Sequence, residues 1–378
     1  MSRPEAPSAS ASAPGKLYIA GEYAVVEPGH QAILVAVDRF ITVRITAAQQ
    51  VGRIRSALYG GRALTWHRRQ DGAAQVDGRG ADYVISAIRV VEELVRERGG
   101  RPVVFDLEIV SELVDHGSGR KLGLGSSSAV TVATVRAVAR LYGLELDDME
   151  VYRLALLACE DVEPIGSGGD IAASALTGWV AYSSPDRGWL RQERQHRSTG
   201  ELLTTPWPCL SIRRLEPPGL RLQVGWTGTP ASSPRLVAGV RAGAAHSPHY
   251  AAFLAASQDC VSALVRAVGK GDHEGIGAQI HRNRGLLADL GRASGITIET
   301  PGLRRLVEIA QDHGAAAKSS GAGGGDCGIA LCPPGTDTGA MRARWRAGGI
   351  EPLDLAVHCH DGGGGGAHPG DGDRRDAA

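Results

Sequence analysis

A two-domain chain of mixed strands and helices is what this sequence predicts, on three observations. Its 378 residues are enough for two domains, each with a core of its own. Short apolar or alternating runs at 17–20, 32–37 and 40–46 read as strands, whereas 81–98, 129–142, 250–269 and 273–294 repeat apolar residues at helical spacing. Between such segments stand glycine-rich stretches at 121–129, 166–170 and 318–328, placed where loops join them.

In chain order, residues 1–12 are rich in Ala, Ser and Pro and read as disordered. The strands that follow are broken by turns at Gly21 and Pro28-Gly29. Lys16 comes directly after Pro14-Gly15, which sets its ammonium at a strand entrance, either to meet a phosphate or as an ordinary solvated lysine. Residues 51–80 are polar and arginine-rich and read as an exposed hairpin or loop. The helix over 81–98 stops at Gly99-Gly100, and a strand at 103–113 leads to Lys121–Ala129, KLGLGSSSA. There Ser126 to Ser128 are placed to cap a helix from Ala129 to Tyr142. A glycine-serine loop opening a helix offers unpaired N–H groups and a positive dipole end to an anion. We read it as a phosphate cradle whose serine hydroxyls suit the Mg²⁺ that accompanies a nucleotide; the plainer alternative is a capped helix.

Asp147 caps a helix near 148–162. Glycines 166, 168 and 169 then place Asp170 on a loop before an apolar segment, as a site carboxylate or as that segment's cap. Residues 185–218, rich in Pro and Arg, read as a domain crossing. An alternating strand at 220–226 runs to a turn, and Ser232-Ser233-Pro234 opens a helix, its hydroxyls facing an anion or merely capping. Lys270 sits in a turn between two helices, and Thr300-Pro301 starts another that ends near Gly314. Residues 350–357 close a sheet, and the glycine-rich tail reads as disordered. Neighbouring positions in an extended chain face opposite ways, so His358, Cys359 and His360 make a poor shared ligand set.

Composition narrows the function. Acidic and basic residues number 41 each, which removes the basic excess that a nucleic-acid surface needs. The N-terminal residues lack the apolar core of a signal peptide, no 18-residue apolar run occurs, and six dispersed cysteines without a CxxC pair suit reduced thiols, so a soluble cytoplasmic chain is expected. Only Lys16, Lys121, Lys270 and Lys318 are lysines; arginine supplies every other cation. Where a generic cation is always arginine, a retained lysine marks a place that needs a compact ammonium.

Neither G-x-x-x-x-G-K-[ST] nor G-x-G-x-x-G is present. Instead APGKLYIAGEYAVV (13–26), KLGLGSSSA and SSGAGGGDCG (319–328) resemble, in order, the three motifs of the GHMP kinases, and SGGD (167–170) resembles their active-site aspartate segment. The resemblance implies an α+β, two-domain GHMP kinase fold with the active site in the cleft between an N-terminal domain (13–190) and a ferredoxin-like C-terminal domain (191–360), with a tail at 361–378. It implies ATP and Mg²⁺, with Lys16 and Asp170 catalytic and Lys121, Gly123, Leu124, Gly125, Ser126, Ser127 and Ser128 around the nucleotide. Acceptor contacts are expected from Ser232, Ser233, Lys318, Ser320, Gly321, Ala322, Gly323, Gly324 and Asp326. Metal contacts are expected from Ser127 and Glu160, with Glu163 also in range. Within the family, APGKLYIAGEY, VGWTG-x-x-AS and GAGGGDCG are similar to the phosphomevalonate kinase forms; mevalonate kinases usually carry His where Tyr23 stands and Gly where Asp326 stands. That likeness implies transfer of the γ-phosphoryl of ATP to (R)-5-phosphomevalonate, with no nucleic-acid or membrane partner and with a homodimer permitted. The rivals are a sibling acting on an alcohol, chiefly mevalonate kinase, and a non-catalytic sensor of the same fold.

Overall fold

The computed structural model describes residues 8–48, 50–56, 63–76, 82–115, 117–164, 166–229, 233–244 and 248–359. Strands β1 (Ser8–Ala20) and β2 (Gln31–Ala47) pair antiparallel over almost their whole length, with Lys16 opposite Ala36. The continuous apolar run 32–37 is buried throughout, whereas 41–46 alternates buried and open, as a strand covered first on both faces and then on one should. β3 (Gly52–Ser56), β4 (Leu64–Arg68) and β5 (Ala74–Val76) extend the sheet. Helix α1 (Tyr83–Glu97) follows, capped by the Asp82 carboxylate, then β6 (Phe105–Ser111), α2 (Ser126–Leu141), α3 (Asp148–Glu160, with an Asp147/Glu150 capping box) and α4 (Gly169–Leu176). β7 (Trp179–Ser183), α5 (Arg187–Glu193), α6 (Thr199–Thr204) and β8 (Ser211–Leu215) complete the first unit. The eight-stranded sheet runs β5-β4-β3-β6-β2-β7-β8, with β1 on β2.

The second unit comprises β9 (Arg221–Trp226), α7 (Ser233–Ala244), α8 (Pro248–Lys270), α9 (His273–Ser294), α10 (Pro301–Asp312), β10 (Ala316–Ser319), β11 (Cys327–Cys332), α11 (Thr338–Ala347) and β12 (Glu351–Leu353). Its sheet order β10-β11-β9-β12, antiparallel throughout, is the ferredoxin-like arrangement. α8 is long and apolar enough by composition to cross a membrane, and it packs along α9 and against β2.

Several expectations are corrected. Residues 8–12 are strand, not disordered: in SASAS the serines face out and Ala11 faces in, and Ser12 shares a 2.8 Å hydrogen bond with Thr42. The low-complexity look concealed a period of two. Residues 51–80 hold three sheet strands around fully buried Trp66, whose indole N–H donates to Phe105 O at 3.0 Å. Ser126 to Ser128 do not cap α2; Gly125 does, and the serines form its first turn. Asp170 is likewise inside the first turn of α4 after Gly168, where a carboxylate is favoured by the helix dipole. The stretch 185–218 carries two helices and an edge strand, so the first sheet runs to Leu215, past the boundary expected at residue 190. Residues 1–7, Ser232 and the tail from 360 fall outside the described residues.

Candidate active site

A cavity of about 540 Å³ is lined from both units. Its walls take Lys16, Tyr18, Glu22 and Tyr23 from β1 and the turn after it, Lys121 to Ser128 apart from Leu122, and Ser167, Gly168 and Asp170; Gly321, Ala322 and Asp326 close it from the second unit. Lys16 Nζ lies 3.3 Å from Asp170 Oδ2 and 5.1 Å from the Tyr18 ring centroid.

Backbone geometry brings the motif segments together. The Lys16 N–H donates to Leu124 O at 2.9 Å, tying β1 to the glycine-serine loop. Gly125 has φ +78°, and a Cβ there would stand 2.7 Å from Lys16 Cε. Gly123, at φ +76°, would place a Cβ 2.6 Å from Asp326 Cβ. Both positions therefore demand glycine, for left-handed backbone and for room. The Tyr23 hydroxyl donates to Ala322 O at 2.6 Å, joining the first motif to the third. Tyr23 and Asp326 are themselves non-glycine residues at φ 64° and 50°, a strained conformation of the kind that gathers at sites.

At the mouth of α2 the Ser126 to Ser128 turn carries backbone N–H groups that have no intrahelical acceptor, so the loop can receive an anion. Tyr83 donates its hydroxyl to Glu163 Oε2 at 2.7 Å. Burial and the Glu163 charge push the phenol up, while a hydrogen bond from Ser127 opposes them, so Ser127 and Glu163 share one wall through Tyr83. Tyr18, buried, shares a 3.0 Å hydrogen bond with Ser167 Oγ, and its phenol is pushed well up by burial and by Asp170.

Not every expected residue joins this group. Glu160 turns away from the cavity and pairs with Arg187 and Arg191; burial raises its carboxyl while those arginines pull it down. Glu163, one helical turn further on, faces the cavity instead. Lys318 is fully buried in β10, pairs with Glu22 and donates to Ser319 O at 2.6 Å, so it reaches the wall only through its partner. Ser320 is a staple: its hydroxyl accepts from the Tyr18 N–H at 2.9 Å and donates to Tyr18 O at 3.1 Å. Gly323 and Gly324 pack on Ile298, whose carbonyl accepts the Gly324 N–H. Ser233 opens α7. The sequence reading missed Tyr18, Glu22, Tyr83 and Arg187, of which the first two stand inside the first motif and the last two carry no local signal.

Comparison with known proteins agrees with this geometry. Residues 82–178 match the family model for the GHMP kinases N terminal domain, and residues 250–351 match that for the GHMP kinases C terminal region. A phosphomevalonate kinase from Streptomyces sp. is 45% identical over 363 residues, covering 91% of this chain and 95% of that protein. A mevalonate kinase from Thermococcus sibiricus is 31% identical, covering 85% and 89%. The solved Streptococcus pneumoniae phosphomevalonate kinase, in complex with phosphomevalonate and AMPPNP, superposes with a TM-score of 0.81 at 31% identity, covering 92% and 99%. With both models matched in chain order and these relatives alike nearly end to end, the chain belongs to the GHMP kinase family.

Proposed function

We propose that this chain is an ATP-dependent phosphomevalonate kinase, transferring the γ-phosphoryl group of ATP to (R)-5-phosphomevalonate to give 5-diphosphomevalonate and ADP in the mevalonate route of isoprenoid biosynthesis. The observation that carries the acceptor is the 45% identity to the Streptomyces enzyme across nine-tenths of the chain, against 31% to the Thermococcus sibiricus mevalonate kinase. Tyr23 and Asp326, where the sequence resembles the phosphomevalonate form, both meet the cavity, and Tyr23 ties its two sides through Ala322.

The chemistry follows from charge. Phosphoryl transfer is catalysed mainly by positioning and electrostatic stabilisation. The acceptor phosphate has a second pKa of about 6 and is largely deprotonated at neutral pH, so no strong base is required. The difficulty is repulsion: two unit charges about 4 Å apart cost roughly 4 kcal/mol at an effective dielectric of about 20. Lys16 sits where it can offset that repulsion, held by Asp170 and by its backbone bond to Leu124. Asp170 thus acts as organiser of the ammonium more than as proton acceptor. The α2 loop binds the nucleotide phosphates through its N–H groups, with Lys121 at its rim.

The wall also fits Mg²⁺. Mg²⁺ takes one or two protein oxygens and completes its shell with phosphate and water, and Glu163 and the Ser127 hydroxyl, joined through Tyr83, are such a pair. No group of three metal-ligating side chains occurs among the described residues, which suits an ion that arrives with the nucleotide. When bound it neutralises charge on the phosphates. All six cysteines are free thiols, which supports a cytoplasmic setting.

The test is a coupled ADP-release assay with phosphomevalonate and mevalonate side by side. Phosphomevalonate should be strongly preferred; turnover of mevalonate alone would move the chain to the alcohol kinases, and turnover of neither to a kinase of another small molecule or to the sensors.

A further inference from the structure

On the cavity wall lies a guanidinium that the chemistry above leaves unused. Arg187 is the first residue of α5, 17 positions after Asp170, and its side chain is 10% exposed at the cavity wall. Its Nη2 pairs with Glu160, whose own side chain is 4% exposed. Its Nε and Nη1 are buried and have no hydrogen-bond partner among the described residues. The Arg187 charge reaches Tyr182 and Cys159, and so does that of Asp170. Tyr182 in turn donates to Ser167 O at 2.6 Å. Arg187, Asp170 and Lys16 therefore line one cavity, with Tyr182 fastened to the turn that presents Asp170.

A guanidinium is always charged and offers five donors in a rigid fork. Burying such donors without acceptors is costly, and the cost is maintained here although a neutral side chain would fill the same space. Glu160 does not relieve it, because its carboxylate is shared between Arg187 and Arg191, the latter at 3.9 Å. What Glu160 does is hold the Nη2 corner of the fork, so that Nε and Nη1, on the two edges that meet there, are left for an incoming anion. Resting on the phosphotransferase reading above, we propose that Arg187 anchors an oxyanion of the acceptor, with Glu160 as its positioning residue. The chemistry is a two-oxygen anion, carboxylate or phosphate monoester, both of which an arginine fork grips through paired N–H groups. Phosphomevalonate supplies both, and mevalonate supplies only the carboxylate.

The test uses the full chain and the variants Arg187→Gln, Arg187→Lys and the double Glu160→Gln/Arg187→Gln. The measurements are kcat and KM for phosphomevalonate, KM for ATP, inhibition by mevalonate and melting temperature. Arg187→Gln should raise the phosphomevalonate KM at least about tenfold, the loss expected for a charged hydrogen bond, while the ATP KM stays within about twofold. Arg187→Lys, with the charge but not the fork, should fall between. The double variant, which leaves no unpaired buried carboxylate, should melt close to wild type and still carry the KM defect. If mevalonate inhibition weakens in parallel, the anchored group is the carboxylate; if it does not, it is the phosphate. A double variant that folds and binds phosphomevalonate within about threefold of wild type would overturn the proposal and leave a structural ion pair. A wild-type chain that turns over a different acceptor would reject the functional reading alone, and the same variants assayed with that acceptor would still decide the part of Arg187.

Discussion

Lys16 and Lys318 each pair with a carboxylate, and each carboxylate lines the cavity, but the surroundings of the two pairs differ. Lys16 and Asp170 lie 3.3 Å apart with side chains 7% and 32% exposed. Lys318 and Glu22 are in direct contact at 0% and 2%. A pair that keeps one partner in water is loosely held, and its ammonium can turn from carboxylate to phosphate at little cost. A dry pair has lost its hydration already, so separating it exposes one uncompensated charge to the interior. Glu22 lies in the first motif, just after β1, and Lys318 lies in β10, so the dry pair clamps the two sheets, whereas the wet pair stays available to a ligand. The lysine census pointed to chemistry at both, and burial separated them.

Four measurements break or sharpen that contrast. The largest effect is expected at the wet pair: Lys16→Ala and Asp170→Asn should each lower kcat by about 10²–10⁴-fold, with ATP affinity and melting temperature little changed. Wild-type turnover in both would remove the pair from the site. At the dry pair the loss should appear in stability. Lys318→Met should cost about 3–5 kcal/mol in denaturant unfolding, and adding Glu22→Gln should recover much of it. A Lys318→Met chain of normal stability but no turnover would mean that Lys318 is a ligand after all.

A smaller effect separates the two glutamates near the end of α3. Glu163→Gln should raise the Mg²⁺ concentration for half-maximal activity about tenfold, as loss of a metal-wall carboxylate does, and Glu160→Gln should leave it in place. The reverse result would restore the sequence expectation. The smallest concerns a pair between the extremes, Arg284 and Glu299, 2.6 Å apart at 26% and 15% exposure. Burial alone would raise the Glu299 carboxyl, but Arg284 and Arg304 hold it below its ordinary 4.5. A lowered folded value means stability that is present above the ordinary value and is lost as pH falls through the lowered one. The stability difference between wild type and Glu299→Gln should therefore shrink from pH 6 towards pH 3; a difference that grows with acid would reverse the assignment.

Much of the site was legible because its chemistry is local. Gly123, Gly125 and Ser126 to Ser128 sit within one loop-helix junction, and the need for left-handed backbone and helix-end N–H groups is written into those residue types. Asp170 and Lys16 were legible for the same reason, each standing beside glycines that open the backbone around it. Glu160 was misplaced because a position within one helical turn of the cavity does not say which face it takes; its face is decided by Arg187, 27 residues away. The bonds of Ser320 and Gly324 were not foreseen for a like cause, since their partners Tyr18 and Ile298 come from other elements. α11 went unseen because its apolar content is small, with only Met341 and Trp345 buried. The strand at 8–12 went unseen because alanine and serine carry little hydrophobic contrast, and pairing with β2 decides it.

By itself the sequence determined the loop chemistry, the order of the motifs and the family they announce, because glycine, serine and lysine act there through their own backbone freedom, hydroxyls and charge. Only the tertiary structure decided which lysine has a partner open to water, which glutamate faces the cavity and that Arg187 joins its wall. Those outcomes depend on solvent exclusion and on partners distant in the chain, and no local pattern of residues records either.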